Sequence, residues 1–267
     1  MPPAPLTAAP SKMFEKFSHL HETGLFYAMA ALLGLICITW SVPASLLYYC
    51  LPRRAGTRLG QWVIMRGFRF YLSCLKISGL VRCDLSELDA LGRECGLVIA
   101  PNHPSLIDVL LITSRLPRIT GIMKAEIRDN VFLAGGARLA RYIRNDSARA
   151  LVKQATEEIQ RGSQLLVFPE GTRTVRHPVN PFKGGFALIA KQAGVPVQTV
   201  FTEGNTHYLH KGWSLFKRPP FPLEYRVRLG RRFSVEDDVK AFTEDLENYF
   251  CTEMGLQGRV PPATEEV

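Results

Sequence analysis

The sequence predicts an α/β fold, a mostly parallel central sheet flanked by helices, preceded by a separate helical segment. Two observations carry this. From residue 81 onward, short apolar runs rich in Val, Ile and Leu alternate with amphipathic helical patterns, the texture of strand–helix–strand units. From Thr23 to Leu80 the chain is uncharged and then purely basic, unlike the body that follows. A length of 267 residues with 46% hydrophobic residues suits one large domain or a domain with an appendage.

Residues 1–13, rich in Pro and Ala, are expected to be disordered. Residues 14–21 could form a short amphipathic lead-in to the uncharged run 25–42, which Pro43 interrupts and residues 44–51 continue. Eighteen apolar residues lie at the lower edge of what crosses a hydrocarbon core. A cleaved signal peptide is disfavoured, because the run starts late and is followed by Arg53-Arg54 rather than a small-x-small site.

Between Thr23 and Cys83 there is no acid, while Arg53, Arg54, Arg58, Arg66, Arg69, Lys76 and Arg82 supply seven of the nine net positive charges. Arg58, Arg66, Arg69 and Lys76 fall along one helical face, opposite Leu59, Val63, Ile64, Phe68, Leu72 and Leu75. Such a helix suits the headgroup plane of an anionic bilayer; the alternative is an ordinary surface helix on a soluble core. Residues 14–79 are therefore expected to bind membrane lipids, with the arginines holding the body on the cytoplasmic side of the inner membrane. No nucleic-acid module signature is present, so nucleic acid is not expected as the anionic partner.

The body, residues 80–255, carries predicted strands over 81–85, 97–100, 119–123, 142–144, 165–168, 196–201 and 224–229. Predicted helices cover 107–115, 132–141, 147–160, 184–193 and 237–250, and 256–267 is read as a flexible tail. Six cysteines without CxxC or regular spacing read as reduced thiols rather than a disulfide framework or a zinc site. No metal cluster is expected, since His207 and His210 sit close together in a loop without further ligands.

In parallel sheets, chemistry gathers at strand exits, and four exits carry reactive side chains. Asn102-His103 leaves the strand ending near Ala100, and Asp108 follows in the first turns of a helix. A carboxylate five positions on can fix the tautomer of the imidazole and make it a general base. Phe168-Pro169-Glu170-Gly171-Thr172-Arg173 leaves another strand with a guanidinium that can grip a phosphate and a glycine that lets backbone N–H groups approach it. Arg144 closes a third strand, and Lys183 precedes the glycines that open a helix; either could face the same cleft. Taken singly, each has a bland alternative: a hydrogen-bonded turn histidine, an exposed ion pair, a structural arginine.

In this order, the clusters resemble the glycerolipid acyltransferase family, which includes bacterial 1-acylglycerol-3-phosphate acyltransferases. Asn102, His103 and Asp108 match its first block; Lys124, Glu126 and Arg144 its second; Phe168 to Arg173 its third in full; Val195-Pro196-Val197 its fourth. The resemblance covers roughly residues 80–205 and implies a glycerol-3-phosphate acyltransferase-like catalytic domain. It implies His103 and Asp108 as catalytic residues, and Glu170, Gly171, Thr172, Arg173 and Arg144 as binding the acceptor's phosphate. Asn102, Lys124 and Lys183 would line the cleft. The implied substrates are an anionic lysolipid acceptor and an acyl-CoA or acyl carrier protein thioester, with no cofactor.

The sequence departs from the family pattern at Pro104-Ser105 and in the stretch Lys124-Ala-Glu126, changes that bear on the acceptor more than on the chemistry. Another lysolipid or a lipid built on a carrier protein is thus the alternative acceptor. Two further readings are weaker: a membrane-bound scaffold without turnover, which the intact His103, Asp108 and Arg173 oppose, and a serine hydrolase, for which no Gly-x-Ser-x-Gly is present.

Overall fold

The computed structural model describes residues 12–124, 131–214, 217–236 and 238–257. Two long helices, α1 (Lys12–Cys50) and α2 (Arg53–Ile77), precede the body. There follow β1 (Val81–Asp84), a 3-10 helix (Ser86–Leu91), β2 (Leu97–Pro101), α3 (Ile107–Thr113), β3 (Ile119–Met123), α4 (Val131–Leu139) and β4 (Ile143–Arg144). The chain continues through α5 (Ala148–Gln160), β5 (Gln164–Leu166), α6 (Gly185–Ala193), β6 (Val197–Gly204), β7 (Leu223–Phe233) and α7 (Val239–Gln257). The strands form one seven-stranded sheet in the order β1-β7-β6-β2-β5-β3-β4, parallel throughout except between β6 and β7.

Alternation along the strands feeds two cores. Leu97 and Ile99 of β2 face a cluster with Leu111 and Ile112 of α3 and Tyr71, Leu72 and Leu75 of α2, while Val98 and Ala100 face Ile159 of α5 and Ile189 of α6. Full burial of β2 on both faces explains why it reads as an unbroken apolar run. Helices thus cover both faces, as the alternation predicts.

Four expectations are corrected. Pro43 does not interrupt the first helix: α1 runs through it for 39 residues, about 58 Å. Close packing holds the helix there: Ser41 Oγ accepts the Gly135 N–H of α4 at 3.0 Å, and a Cβ on Gly135 would lie 1.9 Å from Ser41 O. Arg69 does not join the basic stripe; its guanidinium turns inward and donates to Ser114 O at 3.0 Å, capping the end of α3. The outer face of α2 instead carries Arg54, Arg58, Trp62, Arg66 and Phe70. The body's last helix also reaches Gln257, past the boundary drawn at 255, and α1 starts at Lys12, inside the stretch read as disordered. Residues 1–11, 258–267 and Glu126 lie outside the described residues.

α1 is long and apolar enough to cross or anchor to a membrane. Its inner face is nevertheless docked on the protein: Leu25, Met29, Leu32, Leu33 and Ile36 pack on the core beneath α2. Leu35, Ile38, Val42, Leu46 and Tyr49 form an exposed outer stripe.

Candidate active site

β2 and β5 are parallel neighbours with Ile99 opposite Leu166. His103 and Glu170 each lie four residues further on, so the register delivers them to the same edge. There the His103 N–H donates to Glu170 Oε1 at 2.9 Å, and the Thr174 N–H donates to His103 O at 2.7 Å. Asn102 fixes the other side: its side-chain amide donates to Thr202 O and accepts from Thr202 N, clipping the exit of β2 to β6. With its backbone held from both flanks, His103 is pre-positioned.

α3 then brings Asp108 back under the ring. His103 Nδ1 lies 3.1 Å from Asp108 Oδ2, which also accepts the Ser105 N–H at 2.9 Å. Asp108 is wholly buried, and burial pushes its carboxyl up to about 6 against the opposing pull of His103. Phe168 stacks on the imidazole, with centroids 3.7 Å apart and planes at 21°. A ring clamped by a carboxylate at Nδ1 has Nε2 as its proton-accepting nitrogen.

The third block holds this edge together. Glu170, 1% exposed, accepts from His103 N, Thr174 Oγ1 at 2.7 Å and Asn180 N at 2.8 Å. All these partners are internal, so the carboxylate expected among the phosphate-binding groups points into the protein and ties the loops; a phosphate would in any case repel it. Gly171 has φ +66°, a conformation that favours glycine, and a Cβ there would meet Lys183 Cδ and Nζ at 3.0 Å. The Lys183 side chain therefore lies across the Gly171 backbone, and Thr172 beside it is exposed.

Residues 82–203 match the family model described as Acyltransferase. Over that stretch, a little under half of its length, the chain is similar to the acyltransferase family. It is 28% identical over 207 residues to human 1-acyl-sn-glycerol-3-phosphate acyltransferase beta, covering 73% of this chain and 71% of that one. It is 36% identical over 103 residues to a lyso-ornithine lipid O-acyltransferase of Pseudomonas aeruginosa, 37% of this chain and 40% of that one. The crystal structure of the 1-acyl-sn-glycerophosphate acyltransferase of Thermotoga maritima shares the fold, with a TM-score of 0.68 at 20% identity over 93% of this chain and 99% of that one.

Not every expected site residue gathers at the His103 edge. Arg144 and Lys124 stand at the ends of β4 and β3, and β4 is three strands from β2, about 14 Å laterally. Arg144 Nε is 3.0 Å from Asp146 Oδ2, and Lys124 is exposed. The segment 205–214 is closely engaged, although its sequence gave no sign of it. Ser105 Oγ donates to Tyr208 O at 2.7 Å, and Leu106 N to Leu209 O at 3.2 Å. Arg173 Nη1 donates to Leu209 O and His210 O at 2.8 and 3.1 Å, so this arginine braces the segment. Among the described residues, no group of three or more His, Cys, Asp or Glu could hold a metal ion.

Proposed function

We propose that the protein transfers an acyl chain from acyl-CoA or acyl carrier protein to the free hydroxyl of 1-acylglycerol-3-phosphate, giving phosphatidic acid. The observation that carries the reading is the contact of 3.1 Å between His103 Nδ1 and a wholly buried Asp108. His103 Nε2 takes the acceptor's hydroxyl proton as the oxygen attacks the thioester carbonyl, and Asp108 supports the imidazolium. Collapse of the tetrahedral intermediate breaks the C–S bond, and the imidazolium proton passes to the leaving thiolate. No acyl-enzyme forms. Arg173, Lys183 and the N–H groups around Gly171 and Thr172 bind the acceptor's phosphate, and Glu170 holds their loop against His103.

Residues 14–79 form the membrane attachment and 80–255 the catalytic body, on the cytoplasmic face of the inner membrane. The exposed apolar stripe of α1 and the Arg54, Arg58, Trp62 and Arg66 face of α2 support this. A second acceptor reading is favoured by Arg144, engaged by Asp146, and by the relative named for a lyso-ornithine lipid. In it the chemistry stays the same and an aminoacyl lysolipid replaces the phosphate ester.

An acceptor screen with one labelled acyl thioester tests both. Lysophosphatidate should be acylated, and His103→Ala should lower the rate by about 10²–10⁴, the range of a general base. Full activity in His103→Ala removes the histidine from the chemistry. Acylation confined to lyso-ornithine lipid selects the second acceptor.

A further inference from the structure

The structure holds a cavity of about 580 Å³ beside the catalytic edge, lined in part by Thr174, His207, His210, Lys211, Trp213 and Lys217. Among the described residues lining it none is acidic. We propose that this cavity binds the phosphate-bearing nucleotide end of a coenzyme A thioester, the acyl donor; the proposal rests on the acyltransferase reading above.

Three features point to that ligand. The first is charge and ring together. Lys217 Nζ lies 4.7 Å from the Trp213 ring centroid, the Trp213 N–H donates to Lys217 O at 3.0 Å, and Tyr208 meets the indole edge-on at 6.0 Å. An indole and two lysines in one cavity wall offer an aromatic surface for a base and cations for its phosphates. The second is position. Thr174, in the cavity wall, donates its N–H to His103 O at 2.7 Å and its hydroxyl to Glu170. His210, also in the wall, has its carbonyl bonded by Arg173. A flexible thioester arm leaving the cavity therefore starts next to the proposed base.

The third feature is separation from the acceptor's anion site. Gly171 and Lys183 are not among the lining residues. A transfer between two phosphate-bearing substrates requires both anions to be bound at once, and two basins meet that need. The volume falls within the roughly 300–1,000 Å³ of small-molecule sites. A concavity of this kind suits a nucleotide better than the surface of a carrier protein.

The test uses the full-length chain in detergent, titrated calorimetrically with adenosine 3′,5′-bisphosphate and with desulfo-coenzyme A. Wild type should bind both, and the double variant Lys211→Ala/Lys217→Ala and the single variant Trp213→Ala should each bind about tenfold more weakly or worse. In turnover, the KM for acyl-coenzyme A should rise by a similar factor while the KM for the lysolipid stays within about twofold. A rise in the lysolipid KM alone would show that the cavity serves the acceptor and overturn the proposal. So would a wild type that binds neither nucleotide yet turns over carrier-protein thioesters. Nucleotide binding that weakens in the variants, in a chain that acylates no acceptor offered, would support the cavity assignment and sink the reading of the reaction.

Discussion

Asp108→Asn separates the two roles of the buried carboxylate. In the folded protein its carboxyl lies at about 6 against an ordinary value of 3.8, so the folded state holds the proton more tightly than the unfolded chain. The wild type is therefore most stable below about pH 4 with respect to this group and loses stability as pH rises to about 6. A gap of about two pH units is worth about 3 kcal/mol. Asparagine does not titrate, so the variant should lack this slope. Its amide oxygen can keep the bonds from Ser105 N and His103 Nδ1–H, while its NH2 takes the place of Asp108 Oδ1, which has no hydrogen-bond partner. That unpaired amide costs about 1–3 kcal/mol, which offsets most of the gain at pH 7. Thermal melts in detergent from pH 4 to pH 7 should show the wild type losing about 6–12 °C more than the variant. Transfer activity should meanwhile fall by about 10³–10⁴, as when the corresponding carboxylate is lost from a Ser-His-Asp triad. In the wild type, kcat/KM should decline below about pH 6, where protonated Asp108 no longer accepts the Nδ1–H. Unchanged pH dependence of melting together with retained activity would refute the coupling of this carboxylate to His103.

Glu170→Gln puts an NH2 against one of three internal donors, so melting should drop by the equivalent of about 3 kcal/mol, with kcat falling as the His103 backbone loosens. Gly60→Ala forces a Cβ to 2.6 Å from Ala140 N, a backbone atom that cannot yield, and should cost about 1–3 kcal/mol. Gly67→Ala on the same helix meets only Ile36 Cγ2 at 3.5 Å and should stabilise by up to about 1 kcal/mol; equal melting of the two would contradict the α2–α4 packing. Replacing Arg54, Arg58 and Arg66 together by Ala should weaken sedimentation with phosphatidylserine vesicles about 100-fold and spare binding to neutral ones little affected.

Much of the fold was legible because its signals are local. Several strands are short apolar runs, and fully buried β2 has no polar residue to blur the pattern. The errors arose where a distant partner overrides a local rule. Pro43 reads as a break until α4 packs on Ser41, and Arg69 reads as part of a basic face until the end of α3 lies beneath it. At the site, His103 and Asp108 were legible because five residues across a strand-to-helix turn allow only a few arrangements. Segment 205–214 was not, because its ties to the site run through main-chain carbonyls, which every residue carries.

By itself, the sequence determined the order of elements, the His103–Asp108 pairing and the charge asymmetry between the N-terminal helices and the body, since each depends on near neighbours in the chain. The tertiary structure decided which groups meet across long separations. Inserting β5 beside β2 made Glu170 an internal tie instead of a phosphate contact. Placing β4 at the far edge separated Arg144 from His103. Folding 205–214 over Arg173 built the basic cavity. Strand order is a property of the whole sheet, set by how both apolar faces are covered at once, and no local pattern carries it.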